Sequence, residues 1–270
     1  MEFIKSLRNR IKDFYYKYLF YDFPVKWREG YAEASVMGQK IKMNYVEKKG
    51  IPYYHTKYFL GLISLTKKFF GYLKNYQLKE GDIVMDVGAY EGEFTILASK
   101  LVGDTGKVIS IEPIKESYQK LLKNIELNGL TNVIPLKIAL WDKHKKIKMA
   151  YDFGASHISD EKGEEIEAYM LDNLINKMKL KRINFLKADI GGVEIKMLEG
   201  AKKALMNKCI KNFAIASYHL IDGKKTFISL GRTFRKFDYL VKTGFKSHLT
   251  TYARSKSLDQ LKLNKNLIGQ

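Results

Sequence analysis

The chain has 270 residues, a formal net charge of +19 and a single cysteine. Its length allows one large domain, or one domain with extensions, and its 46% hydrophobic content allows a substantial core. A single cysteine excludes an intrachain disulfide and a cysteine-based zinc site, which fits a reducing, cytoplasmic compartment. No apolar run approaches the roughly 18 residues of a membrane span, and we expect neither a signal peptide nor a metal site.

The charge excess comes from 48 Lys and Arg residues against 29 Asp and Glu residues. A surplus of this size suits a nucleic acid, an anionic membrane surface or a phosphorylated substrate. The basic residues are spread along the chain rather than gathered in one block, so the charge also fits a general preference for lysine at the surface. Charge alone leaves these alternatives open.

Residues 1–23 predict a basic amphipathic helix, because apolar and aromatic residues recur at helical spacing between lysines and arginines. Such a helix packs on its own domain or lies on a membrane surface, and we favour packing. Residues 53–78 show a second helical pattern, whereas 22–52 look irregular, with short strand-like pieces such as 41–45. We therefore expect a mostly helical extension over residues 1–78.

The stretch 81–92, GDIVMDVGAYEG, organises the rest of the chain. Its apolar run predicts a strand buried on both faces, as in a parallel sheet, with Asp86 at the carboxyl end. Gly88 and Gly92 then frame a tight turn before a helical pattern. Strand, glycine turn and helix begin a doubly wound α/β domain, in which ligands bind outside the carboxyl ends of the strands.

The turn departs from the dinucleotide fingerprint, because an acid precedes its first glycine. A carboxylate in that position repels a pyrophosphate and suits a ligand with ammonium and sulfonium charges, such as S-adenosylmethionine (SAM). The alternative is a tight turn in which Asp86 only caps the helix.

Helical and strand-like patterns alternate after this unit, which predicts one parallel-sheet domain over residues 79–255 and a polar, frayed tail over 256–270. The predicted strands are 107–111, 132–140, 183–187, 213–217 and 245–251, with a β excursion at 145–150 and 165–170. The predicted helices are 116–128, 171–180, 195–206 and 225–243.

Polar residues follow several of these strands. Glu112 ends the second strand, where an acid holds a ribose diol in nucleotide-binding α/β folds. Trp141 follows the third strand and offers a flat surface for an adenine ring. Asp189 and His219 end two strands that we expect to be neighbours, so both can face one cleft. His157 lies in a predicted loop that could fold over that cleft.

Several blocks, in their order along the chain, resemble the FkbM-type SAM-dependent methyltransferases. These blocks are Asp86-Val87-Gly88-Ala89 with Gly92 and Thr95, Glu112-Pro113, NIELNG at 124–129, Ala139-Leu140, Leu171-Asp172 and KADIGGVEIKMLEGA at 187–201. The resemblance extends from about residue 81 to 219, and one consistent order over that length is more specific than any single motif.

The resemblance implies a Rossmann-like class I methyltransferase fold, a mostly parallel sheet with helices on both faces, and SAM as the methyl donor. It also implies transfer to a hydroxyl oxygen of a sugar, glycan or other small metabolite. The residues that we expect to bind SAM are Asp86, Gly88, Ala89, Tyr90, Gly92, Thr95, Glu112, Pro113, Ala139, Trp141 and Asp189.

Two positions depart from the family pattern. Gly191 replaces the glutamate of the D-x-E-G block, and Ser217 replaces the glutamate of the E-x-H block. These changes remove two carboxylates near the expected cleft, which leaves Asp189 and Glu194 to orient a hydroxyl group. They put the acceptor in doubt and leave the SAM half of the pattern unchanged.

The expected catalytic residues are Asp189 and His219, and the expected acceptor contacts are Glu194 and His157. A hydroxyl acceptor benefits from a base within hydrogen-bonding reach, and histidine titrates near neutral pH. The structural alternatives are that Asp189 caps a helix, that His219 is a core residue and that His157 belongs to a surface loop.

Two other functions fit parts of the sequence. An RNA methyltransferase would use the positive charge, although the chain has no recognisable RNA-binding module. A non-catalytic module would keep the sheet and bind a partner with its basic surface. We favour a cytoplasmic enzyme acting on a small-molecule or glycan acceptor, with peripheral contact to an anionic membrane as an open alternative.

Overall fold

The computed structural model describes residues 26–28, 30–44, 47–48, 51–52, 71–152, 155–158, 163–221, 223–245 and 248–256. The strands, in chain order, are β1 (Lys26–Arg28), β2 (Tyr31–Val36), β3 (Gln39–Asn44), β4 (Glu47–Lys48), β5 (Ile51–Pro52), β6 (Ile83–Val87), β7 (Lys107–Ile111), β8 (Val133–Leu136), β9 (Ala139–Trp141), β10 (Lys145–Asp152), β11 (Ala155–Ile158), β12 (Glu164–Met170), β13 (Ile183–Ala188), β14 (Ile210–Ala216), β15 (Leu220–Ile221), β16 (Lys224–Lys225), β17 (Tyr239–Gly244) and β18 (Thr250–Ser255). The helices are α1 (Glu93–Val102), α2 (Lys115–Leu127), α3 (Leu171–Lys177), α4 (Glu194–Glu199), α5 (Lys202–Met206) and α6 (Phe227–Lys236), and Leu73–Asn75 forms a 3₁₀ turn.

A seven-stranded sheet forms the centre of the fold, in the order β17-β18-β14-β13-β6-β7-β8. The five strands from β14 to β8 pair in parallel, and β18 runs antiparallel between β14 and β17. The chain order reverses between β6 and β13, so the carboxyl ends of these two strands border the crevice in which α/β folds bind ligands. This sheet confirms the predicted mostly parallel α/β architecture.

Helices cover both faces of the sheet because the central strands are apolar on both faces. On one face, Met85 and Leu186 pack against apolar residues of α3 to α6. On the other face, Val84 and Phe185 pack with residues of α1. Burial on two faces explains why the predicted bounds of the first two core strands agree with β6 and β7.

The described part of the N-terminal region differs from the predicted helical extension. Strands β1, β2 and β3 form an antiparallel sheet, whose β2–β3 turn places Met37 and Gly38 at φ values of 51° and 76°. Apolar residues alternate with polar ones along β2 and β3, and this period of two is typical of a half-buried hairpin. Residues 1–25 and 53–70, which carry the two predicted helices, lie outside the described residues.

Two further predictions of secondary structure were wrong in their bounds. The predicted third strand divides into β8, in the central sheet, and β9, which pairs with β12 in a separate four-stranded sheet. The predicted helix 225–243 ends as α6 at Lys236, and β17 and β18 replace the predicted strand 245–251. Tyr239, Val241 and Thr243 favour a strand over a helix, which accounts for the change.

The β excursion was predicted correctly and is larger than expected, because β11 joins β10 and β12 in the four-stranded sheet. Of the predicted tail 256–270, only Lys256 is described. Within the described ranges, none of the helices combines the length and the apolar character that crossing a bilayer requires.

Candidate functional site

The turns after β6, β7 and β13 meet at the carboxyl edge of the central sheet. The backbone N–H groups of Gly88 and Ala89 donate to the carbonyl of Ile111 at 2.9 and 3.0 Å, and that of Asp189 donates to the carbonyl of Val87 at 3.0 Å. Gly88 has a φ of +75°, and a Cβ atom at this position would lie 2.1 Å from the carbonyl oxygen of Asp189. Only glycine allows the two turns to approach this closely.

Asp86 supports these turns from inside the protein. Its side chain is completely buried, and its Oδ1 accepts from the Lys187 ammonium at 2.9 Å while its Oδ2 accepts from the Thr95 hydroxyl at 2.7 Å. Lys187 also donates to the carbonyl of Gly88 at 2.7 Å. The ammonium group of Lys187 therefore takes the place expected for the positive charges of a ligand. Contact of Asp86 and Thr95 with SAM itself stays a prediction.

Glu112 lies at the end of β7 with its carboxylate fixed by backbone donors. Its Oε2 accepts from the N–H of Tyr90 at 2.8 Å, and its Oε1 accepts from the N–H of Ile114 at 3.0 Å. Burial raises the pKa of this carboxyl group to about 7, although the two backbone donors and Lys187 oppose the shift. Each oxygen has a second lone pair, so the carboxylate can still accept from a ribose diol.

The other predicted cofactor positions lie in the turns after β6 and β7 and in β9. Gly92 begins α1 with a φ of +96°, Tyr90 has a φ of +54°, and Pro113 follows Glu112 directly. Ala139 and Trp141 are buried in β9, where the Lys145 ammonium lies 4.4 Å from the centroid of the Trp141 ring.

Asp142, directly after Trp141, adds an acceptor that the sequence analysis did not identify. Its Oδ2 accepts from Lys196 at 2.9 Å, and this bond lowers the pKa of the carboxyl group. Its Oδ1 is buried and has no hydrogen-bond partner in the described part of the chain. An orphaned acceptor suits an exocyclic amino group, so Asp142 and Glu112 together fit the adenosine part of SAM.

Asp189 is the centre of a polar cluster beside the cofactor edge. Its Oδ2 accepts from the hydroxyl of Tyr72 at 2.9 Å, and its Oδ1 accepts from that of Tyr218 at 3.0 Å. Burial and the charge of Asp189 raise the pKa of both tyrosines, so both hydroxyls stay protonated as donors. Nε2 of His219 lies 3.7 Å from Oδ1, and Nε2 of His248 lies 3.5 Å from Oδ2.

Glu194 supports His219 from behind. The glutamate side chain is completely buried, and its Oε1 lies 3.1 Å from Nδ1 of His219. The same oxygen accepts from the N–H groups of Ile190 and Gly192 at 3.3 and 3.2 Å. Glu194 was predicted to contact the acceptor. The side chain is buried beside the imidazole, and its contact with an acceptor stays a prediction.

His157 lies in β11, where it pairs with Ala150, so the prediction of a loop at this position was wrong. Its role toward an acceptor stays a prediction.

At the two positions that depart from the family pattern, Gly191 has a φ of +68°, and Ser217 is buried with its hydroxyl donating to the carbonyl of Leu249 at 3.1 Å.

Sequence reasoning missed three members of the cluster: Tyr72, Tyr218 and His248. Tyr218 lies between the strand end and His219, so its position offered a signal. Tyr72 and His248 come from distant segments, and no local motif marks them. Among the residues that the structure describes, no group of three His, Cys, Asp or Glu side chains is arranged to hold a metal ion.

Comparisons with curated proteins identify relatives that match parts of the chain. Hexuronic acid methyltransferase AglP of Haloferax volcanii is 26% identical over 147 residues, which cover 53% of this chain and 58% of the relative. Protein-L-isoaspartate O-methyltransferase of Fervidobacterium nodosum is 39% identical over 57 residues, which cover 21% of this chain and 29% of the relative. The matches therefore span less than two thirds of the length of either relative.

Solved structures with a similar arrangement include fibrillarin of Aeropyrum pernix with bound SAM. It has 13% identity and a TM-score of 0.48, with 85% of this chain and 97% of that chain covered. A SAM-dependent methyltransferase of Aquifex aeolicus has 19% identity and a TM-score of 0.44, with 67% and 86% covered.

The family model for the methyltransferase FkbM domain matches residues 86–241, which is more than half of the chain. The matched segment begins at Asp86 and includes Glu112, Asp189, Glu194 and His219, whereas Tyr72 and His248 lie outside it. The chain therefore belongs to the FkbM family of SAM-dependent methyltransferases, and its cofactor is SAM.

Proposed function

We propose that the chain transfers the methyl group of SAM to a hydroxyl oxygen of a sugar, a glycan or another small metabolite. One observation carries the proposal: His219, backed by the buried carboxylate of Glu194, lies beside Asp189 at the edge where the family binds SAM. The named activity of AglP, a hexuronic acid methyltransferase, supports a sugar as the acceptor.

The residues that would hold SAM are those at the ends of β6, β7 and β9. Glu112 would accept from the ribose hydroxyls, and Asp142 Oδ1 would accept from the adenine amino group. Gly88 and Tyr90 would border the cofactor with their backbone. When bound, SAM supplies an electrophilic methyl group on a sulfonium centre.

His219 is the proposed base. A carboxylate next to Nδ1 favours the tautomer with the proton on that nitrogen, and in this tautomer Nε2 is the proton acceptor. Nε2 then takes the proton of the acceptor hydroxyl. The negative charge of Asp189, 3.7 Å away, stabilises the imidazolium that results.

Asp189 is less suited to act as the base itself, because its two oxygens already accept from Tyr72 and Tyr218. Its proposed role is to orient the acceptor and to supply the negative charge beside His219. Positioning matters in this reaction because methyl transfer is an in-line displacement with a neutral leaving group.

The test is methyl transfer from SAM labelled in its methyl group. The full chain is incubated separately with a glycan extract, a lipid-linked sugar extract and purified RNA, with a His219→Gln variant as the matched control. Label in a sugar fraction that depends on His219 supports the proposal. Label only in RNA would assign the enzyme to RNA methylation, and the absence of SAM binding by calorimetry would favour the non-catalytic module.

A further inference from the structure

A short hairpin leads directly out of the candidate acceptor site. Strands β15 and β16 pair Leu220 with Lys225 and Ile221 with Lys224. The N–H of Thr226 donates to the carbonyl of His219 at 3.0 Å, so the hairpin returns to the residue from which it starts. The hairpin therefore forms part of the rim beside His219.

The hairpin also borders the glycine turn that follows Asp189. A Cβ atom built on Gly192 would lie 3.6 Å from Cβ of His219 and 3.8 Å from Cγ1 of Ile221. The turn, His219 and the hairpin are thus in van der Waals range of one another. A partner that docks on the hairpin is therefore also close to His219.

This rim exposes aliphatic side chains. Leu220 is 66% exposed, Ile221 43% and Ile228, which follows in the first turn of α6, 50%. Single exposed apolar residues are ordinary, but three within nine positions of the chain, beside a candidate cleft, are typical of a contact surface.

The same segment is strongly basic. Residues 218–237 contain five cations, Lys224, Lys225, Arg232, Arg235 and Lys236, against one acid, Asp222. All five cations are exposed, and none of them makes an ion pair with another residue in the described ranges. Ile228, Arg232 and Arg235 are spaced four and three residues apart, which puts them on one face of α6.

We propose that the hairpin surface, formed by Leu220, Ile221, Lys224, Lys225, Ile228 and Arg232, docks on an anionic lipid bilayer. Aliphatic side chains enter the boundary between headgroups and acyl chains, while lysine and arginine pair with anionic headgroups. The surface combines both features within one hairpin and the following helical turn. Docking in this orientation brings His219 close to the membrane surface.

Charge and side-chain chemistry favour lipid over the other occupants. A second copy of the chain would place two sets of cations against each other, which repels association. A nucleic acid would pair with the cations, but it gains most from stacking on aromatic rings and little from Leu220, Ile221 and Ile228. A bilayer interface uses both the cations and the aliphatic side chains.

The test measures sedimentation of the full chain with phosphatidylcholine vesicles, prepared with and without phosphatidylglycerol. We expect binding that depends on phosphatidylglycerol. The double variants Leu220→Ser/Ile221→Ser and Lys224→Gln/Lys225→Gln should each lower the partition coefficient about tenfold or more. The matched controls change exposed residues elsewhere, Met206→Ser/Leu240→Ser and Lys202→Gln/Lys203→Gln, and should bind like the unmodified chain.

Equal sedimentation of the hairpin variants and the unmodified chain would overturn the proposal, as would an equal loss in the controls. Two further results, each without vesicle binding, would also overturn the proposal. Self-association in sedimentation velocity that depends on the hairpin would assign the surface to a second copy of the chain. Retention of a homopolymer RNA that depends on the hairpin would assign it to a nucleic acid. Vesicle binding requires no methyl transfer. Failure of SAM binding by calorimetry would therefore contradict the proposed function and leave the vesicle result unaffected.

Discussion

Nδ1 of His219 lies 3.1 Å from Oε1 of Glu194, and the glutamate side chain is completely buried. Two backbone N–H groups of the turn after Asp189 donate to the same glutamate oxygen. The end of β14 is thereby joined to the start of α4 through a carboxylate and an imidazole. On the other side of the ring, Nε2 of His219 lies 3.7 Å from Oδ1 of Asp189.

Replacing His219 by Gln should lower turnover about 10²-fold or more, the usual contribution of a positioned acid–base group. SAM affinity should stay within a few-fold, because His219 lies in the proposed acceptor end of the site. Labelled methyl transfer measures the first effect and calorimetry the second. His144→Gln is the matched control, since that histidine is exposed and pairs with Glu167 at the surface. Unchanged turnover in His219→Gln would remove it as the base.

Replacing Asp189 by Asn keeps the shape of the side chain and removes its charge. We expect turnover to fall about 10²-fold or more, with SAM affinity within a few-fold. Tyr72→Phe removes one donor to the same carboxylate and should have a smaller effect. If Asp189→Asn instead abolishes SAM binding while the fold is intact, Asp189 belongs to the cofactor site. If neither quantity changes, Asp189 has only a structural role as the acceptor for the hydroxyls of Tyr72 and Tyr218.

The sequence predicts the central strands well because burial on both faces leaves a continuous apolar run. It predicts the N-terminal hairpin less clearly, because β2 and β3 are buried on one face only and alternate apolar with polar residues, without a continuous apolar run. In the site, Asp189 and His219 could be predicted to lie near each other, since parallel neighbouring strands end at one edge.

The rest of the site depends on contacts that no local pattern reveals. Tyr72 reaches Asp189 across 117 residues of chain, and His248 comes from the turn before β18. Lys187 is different, because its partner could have been found from the register. It lies opposite Asp86 in the pairing of β13 with β6, and a lysine in the middle of a buried strand needs a charged partner.

SAM affinity should depend on the ionisation of Glu112. Burial raises the pKa of this carboxyl group to about 7, and the ionised form accepts best from two ribose hydroxyls. Affinity should therefore rise between about pH 6 and about pH 8. Glu112→Gln should remove this rise and weaken binding by about 1.5–3 kcal/mol, and Glu112→Ala should weaken it at least as much.

Calorimetry at the two pH values tests this prediction. Glu126→Gln, on the exposed side of α2, controls for the loss of one negative charge. Equal SAM affinity in Glu112→Gln and the unmodified chain would contradict the proposed contact with the ribose.

Glu91 should make stability depend on pH. Burial, and then the charge of Glu93, raise the pKa of Glu91 from 4.5 to about 8, although Lys120 at 3.0 Å opposes the shift. Because the pKa is higher in the folded state, the protonated side chain of Glu91 makes its full contribution to stability below about pH 4.5. This contribution is lost as the pH rises through about 8. Glu91→Gln removes this loss. The difference in Tm between Glu91→Gln and the unmodified chain should therefore grow in favour of the variant between about pH 5 and about pH 8 and then stay constant.

Thermal unfolding over that pH range measures the effect, at about 2–4 °C for each kcal/mol in a protein of this size. Glu116→Gln is the control, since Glu116 pairs with the same Lys120 at 2.9 Å but is exposed to solvent. A Tm difference that stays constant with pH in Glu91→Gln would show that Glu91 is ionised in the folded state over the whole range.

The close approach of the β6 and β13 turns makes Gly88 the most sensitive glycine of the site. In Gly88→Ala, a Cβ atom would lie 2.1 Å from the carbonyl oxygen of Asp189 at a φ of +75°. The left-handed backbone alone costs about 1–2 kcal/mol for a residue other than glycine. Relief of the clash must also move Asp189, so both the free energy of unfolding and turnover should fall.

Gly129→Ala is the matched control, because its φ is +62° and its Cβ atom would meet open space. Urea unfolding should therefore show a clearly larger loss for Gly88→Ala, and equal losses would mean that the two turns can separate without cost.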